Sequence, residues 1–510
     1  MELVEDDAME RTTMSDLRGS DPARGSHPAR GLFEHYEIDT RFFDETFEAA
    51  EQPRLHYQML IDEMGVMPQE EVERLQDRVT RSFLHEGITF TVYGDEASIE
   101  RAFPIDCVPR LLLAREWAHV ERGLIQRVQA LNLFLADVYG KGHVLRDGTV
   151  PRDLVRGCPN YRPEMEGVNV PLGAYVSVCG SDIVRTADGF MVLEDNLRVP
   201  SGVSYMLACR DAIRRAFPQV FRRYHVRPVE HYGQELLQVL RALAPRQEQE
   251  PTIALLTPGV YNSAYYEHAF LAREMGIELV KGDDLLVHGG RLCMRTVRGL
   301  HPVDVLYRRI DDDFIDPQAF RPDSCLGVPG LFEVYRSGRL ALANAPGTGV
   351  ADDKAVYAYV PRIIRYYLDQ EPILDNVETH LCREPEGLAY TLENLEYLVV
   401  KAVGESGGYG MLVGPHASRQ ERAAFADKLR ATPDNYISQP TLALSRAPCL
   451  IDGRLEARHV DLRPFVLHGE DTRVVPGGLC RVALRKGSLV VNSSQGGGAK
   501  DAWILAEDEP

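Results

Sequence analysis

The chain has 510 residues, 44% apolar and 26% charged, the proportions of an ordinary soluble globular protein with room for two to four domains. Its net charge of −19 disfavours nucleic acid or an anionic membrane surface as the main partner, so any phosphate site must be locally positive. Nine scattered cysteines without a C-x-x-C, an acidic N-terminus and no apolar run of roughly 18 residues argue against a disulfide frame, a zinc site, secretion or a membrane span, and point to the cytoplasm.

Residues 1–31 mix Asp, Glu, Arg, Gly, Ser and Pro without periodicity and read as a disordered leader. Residues 32–165 read as a mainly helical region, interrupted by a short strand over Ile88–Tyr93. Between Pro109 and Tyr139, the residues Leu112, Trp117, Val120, Leu124, Val128, Leu131, Leu135 and Val138 recur at spacings of three to five. One helix with an apolar core stripe is predicted there.

Residues 166–245 hold the stretch DIVRTADGFMVLEDNLRVPSG at 182–202, which reads as a β-hairpin turning at Asp188-Gly189. Asp182 lies near the start of its first strand. Glu194 and Asn196, two apart on the second, point to one face. Two carboxylates and an amide oxygen at paired strand ends make a hard all-oxygen cluster that suits Mg²⁺ carrying nucleotide phosphates. A polar hairpin whose acids face solvent is the competing reading. An Arg-rich helical stretch follows to about Tyr232, then a helix over Gln234–Leu243. The polar linker Ala244–Pro251 marks a domain boundary.

Residues 252–345 open with the buried strand TIALLTPG. A turn, a helix over Tyr265–Met275 capped by Gly276, and a strand over Ile277–Val280 complete a βαβ unit. Its turn, Pro258 to Ser263, lies where open α/β sheets place ligands. A strand over Val303–Tyr307 runs into Arg308-Arg309-Ile310-Asp311-Asp312-Asp313, an exposed loop or a substrate site on the same edge.

Residues 346–505 carry the nucleotide features. Lys354 follows a small-residue loop, and Lys401 points outward from a strand leading into a flap with Gly404, Gly407, Gly408 and Gly410. Glycines let backbone N–H groups approach phosphate oxygens, and lysine supplies a point charge. The pattern is neither a Walker loop nor G-x-G-x-x-G. Tyr436–Pro440, with Gln439, reads as a strand able to present main-chain groups to an adenine edge. Strands are predicted over His459–Leu467 with Arg463, Gly478–Leu484 with Arg481, and Ser488–Ser494. The last enters Gln495-Gly496-Gly497-Gly498-Ala499-Lys500-Asp501, read as an anion-binding glycine loop. Together these parts suit phosphoryl transfer by positioning and charge neutralisation. No nucleophile or zinc-ligand signature competes, and His268 and His459 read as structural.

Eight blocks in order over about residues 32–505 resemble the circularly permuted ATP-grasp proteins, including the glutathionylspermidine-synthase-like relatives. They are DIVRTADGFMVLEDNLRVPSG, TPGVYNSAYYEHAFLAREMGIELVKGDDL, YRRIDDDFIDP, NAPGTGVADDKAVYAYVP, VVKAVGESGGYG, HVDLRPFV, GGLCRVAL and LVVNSSQGGGAKDAW. The metal hairpin preceding the lysine-bearing strands is the permutation. The resemblance implies an α/β (α+β) fold with a helical N-terminal region, a metal-binding part over 166–245, a Rossmann-like pre-ATP-grasp domain over 252–345 and a nucleotide-binding part over 346–505. It implies Asp182, Glu194 and Asn196 as Mg²⁺ ligands, Lys354 and Lys401 on ATP phosphates, Gly404 to Gly410 as the flap, and Gln439 near adenine. Arg463, Arg481 and Lys500 are the expected catalytic cations. Arg198, Ser201, Tyr261, Asn262, Arg309 and Asp311 are expected on the substrate side. The family reaction is ATP-dependent ligation of a carboxylate to an amine through an acyl phosphate, with small-molecule or peptide partners and a homo-oligomer left open. A phosphotransferase and a turnover-dead nucleotide-binding regulator are the alternatives. One departure is Gly180, where the synthetase presents an arginine two residues before its first metal ligand.

Overall fold

A computed structural model describes residues 31–90, 101–245, 250–404, 410–489, 491 and 497–508. All of the expected leader except Gly31 therefore lies outside the described residues. Helix α1 (Gln69–His85) buries Val72, Leu75, Val79 and Phe83 along one stripe. Strand β1 (Ile105–Leu112) follows and is buried at every position. Helix α2 (Ala114–Val138) then runs through the largest core cluster. The predicted helix over Pro109–Tyr139 is thus a strand up to Leu112. A short apolar run buried on both faces carries no period that separates strand from helix. Pro109 is tolerated because β1 is an edge strand whose pairing slips register beside it.

The hairpin forms as expected, from β2 (Val178–Thr186) and β3 (Gly189–Asn196). Helices α3 (Val203–Ala216) and α4 (Tyr232–Ala242) lead to the βαβ unit of β4 (Ile253–Leu256), α5 (Tyr265–Met275) and β5 (Glu278–Val280). Gly276 ends α5 in the left-handed conformation, φ 65°, which glycine adopts without Cβ penalty. Strands β6 (Val305–Arg308) and β7 (Ala341–Ala343) complete a parallel sheet in the order β7-β6-β4-β5. An antiparallel insert not foreseen from sequence (Leu285–His288, Arg291–Thr296, Gly299–Pro302) sits between β5 and β6.

The short helix α6 (Lys354–Tyr357) precedes α7 (Val360–Leu368), β8 (Asp375–Asn376) and β9 (His380–Leu381). Next come α8 (Pro385–Glu393), β10 (Leu398–Ala402), β11 (Leu412–Val413), α9 (Arg419–Ala431) and β12 (Tyr436–Pro440). The four strands make an antiparallel sheet in the order β9-β12-β10-β11. Its own small core includes Val400, Leu412, Phe425 and Leu429.

The hairpin β13 (Arg446–Ile451) and β14 (Arg454–His459) leads to β15 (Arg463–His468), β16 (Thr472–Val482) and β17 (Gly498–Ile504). A seven-stranded sheet in the order β8-β3-β2-β15-β16-β17-β1 then gathers strands from three of the segments set apart in sequence. The strand expected over Ser488–Ser494 is not seen at its described residues, and Ser494 with most of its neighbours lies outside them. The glycine loop expected to end at Lys500 is, from Gly498 on, the fully buried strand β17.

Candidate active site

Asp182 and Glu194 are register partners across β2 and β3, and the ladder carries a bulge between Asp182 and Ile183. A bulge sets two residues of one strand against one of the other. Leu193 therefore joins an apolar seam with Val184, Met191, Val377, Leu442 and Leu444, while adjacent Glu194 still meets Asp182. Asn196 pairs with Gly180 and donates Nδ2 to its carbonyl at 2.9 Å, which turns Oδ1 the other way. On the opposite face Asp195 is buried, accepting from Arg127 Nε at 2.7 Å and from Ser181 Oγ at 2.7 Å. Sequence reasoning passed over Arg127, which lies on α2 and fixes the back of the hairpin.

Two arginines grip the first carboxylate. Arg463 Nε donates to Asp182 Oδ1 at 2.5 Å, and Arg481 donates an amino N–H to Oδ2 at 2.7 Å while also pairing with Asp461. Burial alone would raise the Asp182 pKa, but the guanidinium charges outweigh it and hold the carboxyl far below its usual range. Glu194 goes the other way: burial and the Asp182 charge raise it, and Lys354 and Lys401 only partly offset them. Lys401 is pushed down to about 8, chiefly by burial, with Glu194 opposing and Lys354 adding to the shift.

These cations approach from the second sheet and from a short helix. Lys401 on β10 donates to Gln439 Oε1 on β12 at 2.8 Å, and Gln439 Nε2 donates to Thr379 Oγ1 at 3.0 Å. The Gln439 side chain is thereby engaged, and β12 is an interior strand paired with β9 on one side and β10 on the other. Lys354 starts α6, whose N-cap Asp353 accepts from the Ala355 and Val356 amides. Gly404 and Gly410 flank a flap in which Gly407 and Gly408 lie outside the described residues.

Among the described residues, no group of three or more His, Cys, Asp or Glu side chains gathers as a metal nest. Two carboxylates and an amide instead match the few protein ligands that Mg²⁺ accepts beside phosphate and water.

Beside the hairpin, Ser201, Asn262, Arg309 and Asp311 share a cavity of about 250 Å³ at the C-terminal ends of β4 and β6. Arg309 is buried there, donating to Glu267 at 2.9 Å and to the Pro200 carbonyl at 2.7 Å. Arg198 pairs with Asp352 at 2.7 Å and lies 4.0 Å from Asp311. Tyr261 stands apart, its side chain fully exposed. Of the expected charged run, Arg308, Arg309 and Asp312 are buried; Arg308 ties the strand end to the Asn344 and Ala345 carbonyls.

Lys500 does not join the site. Cys480 pairs with Lys500 and Arg481 with Ala499, so alternation sends Lys500 to the face opposite Arg481. Its Nζ donates to Asp106 at 2.5 Å and to the Pro448 carbonyl at 2.8 Å, a buried structural pair. His268 Nδ1 shares a hydrogen bond with Thr257 Oγ1, and His459 Nδ1 donates to the Leu444 carbonyl.

Asn344, unremarked in the sequence, joins the two units that build the site. Its Oδ1 accepts from the Ser177 and Val178 amides, and its Nδ2 donates to the Val178 and Leu197 carbonyls, each at 2.7–2.8 Å. It binds the end of β7 to the two ends of the β2–β3 hairpin.

A carboxylate hairpin facing Lys401 of a second antiparallel sheet and Lys354 of a short helix defines an ATP-grasp architecture. The chain belongs to the circularly permuted ATP-grasp type 2 family, whose profile matches residues 109–483. It is 54% identical over 466 residues to an uncharacterised Synechocystis protein, covering 91% of this chain and 97% of that one. An uncharacterised Mycobacterium tuberculosis protein is 46% identical over 495 residues, 97% and 89% of the two chains. A Frankia alni protein with the provisional name glutamate–cysteine ligase 2-3 is 44% identical over 431 residues, 82% of this chain but only 48% of that one. A glutathione synthetase-like effector of Globodera pallida, solved without ligand, shares the fold at TM-score 0.54 and 12% identity, over 86% of this chain and 98% of that one.

Proposed function

We propose that this protein is an ATP- and Mg²⁺-dependent carboxylate–amine ligase acting on a small peptide or amino-acid-like acid. The observation that carries the reading is the Asp182–Glu194 pair with Lys354 and Lys401 within electrostatic reach of it. Asp182, Glu194 and Asn196 would hold Mg²⁺, which when bound neutralises phosphate charge. Lys354 and Lys401 would hold the ATP phosphates. The apolar seam of Met191, Leu193 and Leu442 is the candidate wall for the adenine ring. Arg463 and Arg481, which pair with Asp182, would steady an acyl phosphate by exchanging that carboxylate for it.

The names of the Frankia relatives support a ligase over a kinase. Calorimetric titration with Mg-ATP, comparing wild type with Glu194→Ala and Lys401→Ala, tests the nucleotide site, and weaker binding in both variants is expected. Release of ADP and phosphate that requires both acid and amine supports ligation. Release of ADP without free phosphate in the presence of the acid alone, the γ-phosphoryl group staying on the product, would make the protein a phosphotransferase.

A further inference from the structure

Lys354 is carried on very little. Helix α6 is a single turn, and one turn fixes several dihedrals for one hydrogen bond, so it does not hold itself. Asp353 caps its start. Where Lys354 stands relative to Glu194 therefore depends on what secures the far end of the turn. That end is Tyr357, only 3% exposed.

Tyr357 is tied to the hairpin through both of its polar groups. Its hydroxyl donates to the Val192 carbonyl on β3, two residues before Glu194, and accepts from the Val377 amide at 2.8 Å. Its carbonyl accepts from Asn376 Nδ2 at 2.8 Å, and Asn376 lies on β8 in register with Val192. Asn376 Oδ1 in turn accepts from an amino nitrogen of Arg127 at 2.6 Å. The Nε of that arginine donates to Asp195, which sits between Glu194 and Asn196 on β3. The guanidinium also lies over the Tyr357 ring, 5.3 Å from its centre.

Stability alone does not account for Arg127. A buried ion pair is often no more stabilising than apolar side chains of the same volume. This one also leaves the second amino nitrogen buried with no acceptor among the described residues. What the arginine supplies is geometry. It grips β3 between Glu194 and Asn196 and, through Asn376, the end of the turn that bears Lys354. Lys401 arrives on the other sheet and bonds to Gln439 instead.

We propose that Tyr357, with Asn376 and Arg127 behind it, is a positioning residue for the nucleotide phosphates. It sets Lys354 against Glu194, so that this lysine and the hairpin meet the phosphates as one rigid piece. The role in phosphate binding rests on the nucleotide-site reading above; the bracing of the turn does not.

Tyr357→Phe deletes one hydroxyl and keeps the ring beneath Arg127. Calorimetric titration with Mg-ATP should show binding weakened about tenfold. In a Lys354→Gln background the same change should cost nothing further, because its effect passes through that lysine. Hydrogen exchange of segment 353–358, read by mass spectrometry without nucleotide, should be faster in Tyr357→Phe, while β6 exchanges as in wild type. Asn376→Ala cuts the second tie at a half-buried position and should repeat both results, which keeps the test open if the first variant fails to fold. Losses that add in the double variant, or a Tyr357→Phe protein equal to wild type in affinity or in exchange, overturn the proposal. Absence of Mg-ATP binding by the wild type, with the turn still loosened by Tyr357→Phe, sinks the nucleotide-site reading and the phosphate role with it, while the brace stands.

Discussion

Asp182 and Glu194 face each other across two paired strands with opposite protonation tendencies, one held far below the usual carboxylate range and the other raised. The raised group makes the metal-free protein sensitive to pH. Glu194 binds its proton more tightly folded than unfolded, so its contribution to stability is full below the unfolded carboxylate value. That contribution is lost as pH rises through the folded value. Melting temperatures in chelator should therefore fall over this window, while Mg²⁺ should flatten the dependence by taking the place of the proton. A melting curve indifferent to Mg²⁺ at neutral pH would count against the metal assignment.

Lys401 titrates in the opposite sense. Its pKa is depressed to about 8, so below that value the folded state bears the cost of a buried ammonium, and the cost is relieved as pH rises towards the unfolded lysine value. Nucleotide phosphates would restore the charge. Binding near pH 8 is then accompanied by proton uptake, visible as a dependence of the calorimetric heat on buffer ionisation enthalpy. Lys401→Met should remove the uptake and weaken Mg-ATP binding about ten- to hundredfold.

Lys500 predicts a loss of stability. Replacing it with Met strands Asp106 as an uncompensated buried carboxylate, at a cost of about 3–5 kcal/mol. The double change Lys500→Met with Asp106→Leu should recover much of this, as judged by urea unfolding. Equal stability of Lys500→Met and wild type would return the lysine to the list of functional cations.

Asn344→Ala removes four buried hydrogen bonds between β7 and the hairpin, and a loss of about 3 kcal/mol is expected. Asn344→Asp is no remedy, because it points a carboxylate at the Val178 and Leu197 carbonyls that now accept from Nδ2. Thermal unfolding of the two variants checks the ordering.

Gly180 stands where the resemblance to the glutathionylspermidine synthetases leads one to expect an arginine. A Cβ there would lie 3.3 Å from both the Arg463 side chain and Pro200. The space an arginine would occupy is taken by Arg463, arriving from β15. Gly180→Arg should therefore displace Arg463 from Asp182 and weaken Mg-ATP binding, with little gain if Arg463 is removed as well.

The hairpin was legible because alternation, a turn dipeptide and paired acids all lie within 21 consecutive residues. The βαβ unit was legible for the same local reason. Lys500 was misread because three glycines before a lysine look like an anion loop, and only the pairing of β17 with β16 and β1 turns that segment into a buried strand. The β1 strand was absorbed into the following helix because burial on both faces erases periodicity. The bulge that sets Leu193 and Glu194 in one cleft has no sequence signal of its own. Arg127, Asn344 and Glu267 act through contacts 42 or more residues away, which no local pattern reports.

The order of strands in the central sheet has a consequence for synthesis on the ribosome. The first strand of the carboxylate hairpin, β2, is made early, yet its far edge is closed only by β15, some 280 residues later in the chain. Until that strand emerges, the hairpin presents a row of unpaired backbone groups, and Asp182 lacks both of its guanidinium partners. A nascent chain cannot assemble the nucleotide cleft piecemeal. Premature termination before residue 463 would leave a fragment with an open, sticky sheet edge.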